Sequence, residues 1–226
     1  MPFLLIETST EHTIAVVMEG QQIVFQKELP LGLNNSKYLA SCVYEGLCKL
    51  KLKASDLSYI AVGIGPGSYT GIRVGVMFAK TLAFAADIPL IGISTLKCFV
   101  PNGSGSFLVL VDARIGGVYV AGGVKDDRGC VRCTHEPQVI SLDAVKELLK
   151  GSNWIVTPQD KILKPKLESF CPESEWQMLP PNPFQMAFLA EEQLRVGNIA
   201  IDGSLELMYL RKTHAEIEKE QMKELL

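Results

Sequence analysis

The chain has 226 residues, 47% of them hydrophobic and 21% charged, enough apolar material for one large domain or two small ones. That balance excludes a disordered, collagenous or coiled-coil chain. A formal net charge of −3 excludes a strongly basic nucleic-acid surface, and the one dense basic run, Lys49, Lys51 and Lys53, reads as a solvated helix end.

Residues 3–6, Phe-Leu-Leu-Ile, read as a buried strand. The start lacks a basic leader region, and Glu7 cuts its apolar run short. Lys80 interrupts the longest apolar stretch further on, so a soluble, cytoplasmic protein with no membrane contact is expected. Strands at 13–18 and 22–28 follow, joined by a turn at Glu19-Gly20. Ser36 is a candidate cap for a helix to Leu50 with Leu39, Val43, Leu47 and Leu50 along one face. A strand at 58–64 leads into "GIGPGSYTGIRVG", a helix to Ala86 and a strand at 89–93.

The second half repeats the order, with strands at 107–111, 118–124 and 131–140, a helix capped by Ser141 and ending at Gly151, and a strand at 153–157. A Pro-rich loop then reaches Pro183, a favourable first helical residue, and a helix to Gly197. Each half opens with an apolar strand ending in an acid, Glu7 or Asp112. Two β-β-β-α-β-α halves give an α/β, two-lobed, actin-like (ribonuclease H-like) plan, shared by sugar kinases and heat-shock ATPases. "PNGSGSF" at 101–107 is the joint between lobes 1–100 and 101–226, and the last segment is a candidate to pack back on the first lobe.

The glycine turn invites a phosphate reading. It has no Walker lysine, and its glycines miss the dinucleotide spacing, because Thr70 stands at the third position and Gly71 follows one residue late. What remains is a weak anion or nucleotide candidate at Gly67, Ser68, Thr70 and Arg73, with Ser68 or Thr70 capping the helix. That helix carries Gly71, Gly75, Ala79 and Ala83 at four-residue intervals, a smooth ridge against which another helix can pack. It is apolar almost all round, and a surface helix needs only one apolar stripe.

An ATPase of this plan also needs glycine after the first strand of each half, where the backbone approaches phosphate. "ETSTEH" has none, and "DARIGG" has it only at its far end, so independent ATP hydrolysis is not expected although an acid stands at each strand end. Three histidines, His12, His135 and His214, form neither an HExxH motif nor a Ser-His-Asp set, and His12 reads as an exposed turn residue. Of the cysteines at 42, 48, 98, 130, 133 and 171, Cys130 and Cys133 with His135 suggest zinc, but the second ligand pair is missing, so reduced thiols and no metal are expected.

"LLIETST", "GIGPGSYTGIRVG" with "AKTLAF", "IPLIGISTL", "VDAR…VY" and "YLR" run in order over nearly the whole chain and resemble the TsaB family, formerly YeaZ. The resemblance implies a non-catalytic scaffold subunit that pairs with TsaD, joined by the ATPase TsaE. TsaD transfers threonylcarbamoyl to N6 of adenosine 37 in tRNAs reading codons that begin with A, so tRNA would meet this chain only through the complex. It also implies no intrinsic cofactor, with ATP or ADP at the joint interface, and a homodimer when alone. The implied pairing face is Leu39, Val43, Leu47, Gly71, Gly75, Met77, Phe78, Ala79 and Leu82. The family pattern has aspartate where Glu7 stands, His before Ser or Thr where Asn35-Ser36 stands, and glutamate where Gly117 stands, and 125–185 carries no matching motif. The tail offers a capping box at Thr213 and Glu216. The alternative is an actin-like ATPase or kinase acting on its own, and no residue supports a peptidase.

Overall fold

The computed structural model describes residues 1–29, 35–114, 117–200 and 204–210, and for 35–37 the backbone alone. The first half comprises β1 (Pro2–Glu7), β2 (Thr13–Glu19), β3 (Gln22–Leu29), α1 (Asn35–Leu50), β4 (Ile60–Gly63), α2 (Tyr69–Ala86) and β5 (Leu90–Ile93). The second comprises β6 (Gly105–Asp112), β7 (Gly117–Lys125), β8 (Val131–Ser141), α3 (Leu142–Leu149), β9 (Trp154–Thr157), α4 (Asp160–Leu167), β10 (Glu175–Met178) and α5 (Pro183–Arg195). The sheets run β3-β2-β1-β4-β5 and β8-β7-β6-β9-β10, one strand order used twice. In each, the opening strand pairs antiparallel with the second and parallel with the fourth. This is the duplicated actin-like plan.

The near-continuous apolar strands follow from a first sheet covered on both faces. Leu4, Ile6, Ala15, Val17, Ile60 and Val62 point into a core closed by α1 and α2. Their alternates Phe3, Leu5, Ile14, Val16, Met18 and Ala61 meet Met186, Ala187, Leu189 and Ala190 of α5, which returns from the second half to cover that face. α3 and α4 close one face of the second sheet through Val145, Leu149, Leu163 and Leu167. Leu96, Phe99 and Val100, from the segment before the joint, fill the other.

The caps are local. Ser141 accepts from Ala144 N, and Asn182 accepts from Gln185 N with Pro183 in the first turn. α1 begins at Asn35, which places Ser36 in its first turn. The expected Pro-rich loop after residue 157 instead holds α4 and the edge strand β10. Leu163 and Leu167 are buried at helical spacing, although Pro165 inside the helix has no N–H to donate to the carbonyl four residues back. α3 ends at Leu149, short of Gly151. The tail motif at Thr213 and Glu216, together with His214, lies outside the described residues.

Glu45 ties α1 to the sheet, accepting from Lys27 of β3 and from Lys49 one turn on at 2.7 Å. The hydrogen bonds from these two ammonium groups hold its carboxyl down at about 2. Its contribution therefore stands above the ordinary carboxylate range and is lost as pH falls through about 2. In acid unfolding curves, the gap between the native chain and Glu45→Gln should close over that window.

Candidate partner-binding face

The glycine turn is built against the chain's own first turn, residues 8–12. A Cβ on Gly67 would lie 2.3 Å from the Ser9 carbonyl oxygen, one on Gly71 2.2 Å from that of Thr8, and one on Gly75 2.1 Å from Thr8 Oγ1. Thr8 Oγ1 donates to the Gly71 carbonyl at 2.8 Å and Ser68 N to that of Ser9 at 2.6 Å. Ser68 is the cap of α2, accepting from Gly71 N, and Thr70 lies exposed within the helix. The small-residue ridge therefore admits the β1–β2 turn and the sheet. It is not the contact surface for a second helix that the spacing suggested.

Three of the four anion candidates are engaged by other parts of the chain. Gly67 packs on Ser9, the Ser68 hydroxyl accepts from Gly71 N, and Thr70 is exposed. Arg73 Nε donates to the Tyr209 hydroxyl at 3.0 Å, with the guanidinium 3.9 Å above the Tyr69 ring. Tyr69 and Tyr209 stack with centroids 5.0 Å apart, while Leu205 and Leu207 pack on the core and Met208 N donates to the Ile64 carbonyl. Residues 204–210 thus form a strap across the base of α2. Tyr209→Ala should lower stability by about 1 kcal/mol, read from urea unfolding midpoints, because it removes a stacked ring and the arginine's acceptor.

His12 is buried, contrary to the exposed turn residue expected, because β3 brings Glu28 within 2.5 Å of its Nδ1. Glu7 is fully buried over Gly63 and bonded to Ser9 and Thr95, and Asp112 accepts from Arg114 N at 3.0 Å. No described group of three His, Cys, Asp or Glu side chains has metal-binding geometry. Cys133 bonds instead to the His135 carbonyl and Glu136. No described helix is long and apolar enough to cross a membrane.

The unspent apolar surface lies outside this packing. α1 and α2 lie side by side over one face of the first sheet, with Leu39, Val43, Leu47, Ile72, Val76 and Ala79 buried beneath them. Outside that stripe, Met77 is 61% and Phe84 89% exposed on α2, and Tyr44 is 71% exposed on α1, which also carries the half-exposed Tyr38. Of the residues named for a pairing face, Leu39, Val43, Leu47, Gly75 and Ala79 are buried in the chain's own core. Gly71 is packed on Thr8, and Phe78 and Leu82 are partly buried, which leaves Met77 as the exposed one. Tyr38, Tyr44 and Phe84 were missed. For α2 a helical wheel carries the signal, since 77 and 84 share one side, about 120° round from the centre of the 72, 76, 79 and 83 stripe.

The family model described as TsaD, tRNA N6-adenosine threonylcarbamoyltransferase, matches residues 33–190, more than half of the chain. The chain is similar to the tRNA threonylcarbamoyladenosine biosynthesis protein TsaB of Bacillus subtilis, 37% identical over a stretch covering 53% of each chain. It is also similar to that of Escherichia coli, 27% identical over 95% of this chain and 96% of the relative. A solved structure of YeaZ from Pseudomonas aeruginosa, 20% identical, superposes with a TM-score of 0.73 over 92% of this chain and all of that one, a likeness of fold. With the motifs in family order and the duplicated sheets in place, the chain belongs to the TsaB (YeaZ) family, within the wider group of TsaD-type domains.

Proposed function

We propose that this chain is a cytoplasmic, non-catalytic subunit of the machinery that makes threonylcarbamoyladenosine in tRNA. Its outer α1–α2 face pairs with the TsaD-type transferase, and TsaE joins the pair. The names of the relatives support the pathway, and one observation carries the pairing role: Tyr44 on α1 and Met77 and Phe84 on α2 are exposed apolar side chains on neighbouring helices whose inner stripes are already satisfied. Helices of 16 and 18 residues span about 24 and 27 Å, long enough to build a stable interface against a matching pair. A paralogue with the same duplicated plan offers such a pair, and so does a second copy of this chain, which accounts for a homodimer in the partner's absence. ATP or ADP would sit where the two chains meet, and tRNA would contact the transferase.

The test is co-purification of the tagged chain with the TsaD of its host, with and without ATP, followed by mass determination in solution. A heterodimer replacing the homodimer is expected. Absence of any complex in both conditions would overturn the pairing role, and steady ATP turnover by the purified chain alone would overturn the non-catalytic one.

A further inference from the structure

At the end of β1, Glu7 sits with no solvent exposure in the space left by Gly63, where a Cβ would lie 1.8 Å from Glu7 Oε2. Two hydroxyls surround its carboxyl. Ser9 Oγ bonds Glu7 Oε1, Thr95 Oγ1 lies 2.8 Å from Oε2, and the two hydroxyl oxygens are 2.7 Å apart. These three oxygen–oxygen contacts close a ring, and each needs a hydrogen. Ser9 and Thr95 supply one each. With an ionised carboxylate, one contact would press two oxygens together with no proton between them.

We propose that Glu7 is held as the neutral acid and supplies the third hydrogen of this ring. The bonds then run in one direction. Glu7 Oε2–H donates to Thr95 Oγ1, Thr95 donates to Ser9 Oγ, and Ser9 donates to Glu7 Oε1. The remaining neighbours fit that direction, because Oε1 also accepts from Ser9 N at 2.6 Å and Thr95 Oγ1 from Gly65 N at 3.1 Å. The ring joins the β1–β2 turn, the turn after β5 and the start of the glycine turn beneath α2. Burial pushes the carboxyl above its ordinary range, and no salt bridge reaches Glu7 among the described residues. The titratable group facing it is the buried Cys98 thiol, itself pushed up chiefly by burial, and β4 packs Gly63 against it. The ring makes the residue a proton-holding bracket of the pairing lobe, with both oxygens occupied.

Glutamine reproduces the ring, its amide N–H replacing the acid O–H, and has no proton to lose. The folded native chain holds a proton that the unfolded chain releases, so its stability falls as pH rises above the ordinary glutamate range. The ratio of the Glu7→Gln folding equilibrium constant to the native one should therefore rise about tenfold per pH unit, until Glu7 itself ionises. A ratio independent of pH would overturn the proposal. Carbon-13 NMR of carboxyl-labelled glutamate in the native chain decides it even if the variant fails to fold. One carboxyl carbon should keep the shift of the protonated acid at neutral pH, and ionised shifts for every glutamate would overturn the proposal.

Discussion

Replacing Gly71 by valine should destabilise the folded chain by about 3 kcal/mol or more, at the upper end of what overpacking costs. The first added carbon would sit 2.2 Å from the Thr8 carbonyl oxygen, with Thr8 C at 3.1 Å and Ser9 Cα at 3.2 Å. All three are backbone atoms, so no rotamer change clears the site. The turn they belong to is anchored by Ser68 N, by the Thr8 hydroxyl and through Ser9 by Glu7. Gly117→Ala is the matched control. Its Cβ would find nothing nearer than 3.4 Å, and its effect should stay within about 0.5 kcal/mol. Urea unfolding of both variants measures the contrast. Gly75→Leu belongs with Gly71→Val, since its Cβ would meet Thr8 Oγ1 at 2.1 Å. A loss of pairing in either variant would therefore report a damaged monomer and not a contact surface.

Phe84→Glu and Met77→Glu should do the reverse. Both side chains are mostly exposed, so each change should move the unfolding free energy of the monomer by no more than about 0.5 kcal/mol. In the proposed complex each would place a charge in the desolvated centre of an apolar interface. Truncating such a hot spot costs about 2 kcal/mol, roughly thirtyfold in Kd, and an unpaired charge costs more. Isothermal titration of the partner with each variant measures the loss. The unfolding curves of the free chains separate it from misfolding.

These two groups of variants also mark how far the sequence could be read. Alternation is absent from "FLLI" and "IAVVM", and that absence signals strands covered on both faces, which α5 makes literal by crossing back to the first sheet. Ser68, Ser141 and Pro183 mark helix starts because caps act over three residues. The repeated order of strands and helices carries the duplicated topology. What escaped is long-range. Glycines four apart announce a close approach but not what approaches, and here it is a turn some 60 residues earlier. His12 reads as exposed until β3 supplies Glu28. α4 was hidden by Pro165, which cannot donate to the helical ladder and so reads as a breaker. Tyr44, Met77 and Phe84 gain meaning once the direction of the sheet is known, since an apolar helix has no outer face until its inner one is assigned.

Hydrogen–deuterium exchange of the chain, free and bound to its TsaD-type partner, tests the central claim most directly. The account predicts slowed exchange confined to Tyr38–Leu50 and Tyr69–Ala86, the segments that carry Tyr44, Met77 and Phe84. Unchanged exchange there, with protection instead on α5 around its exposed Phe184 and Phe188, would contradict it.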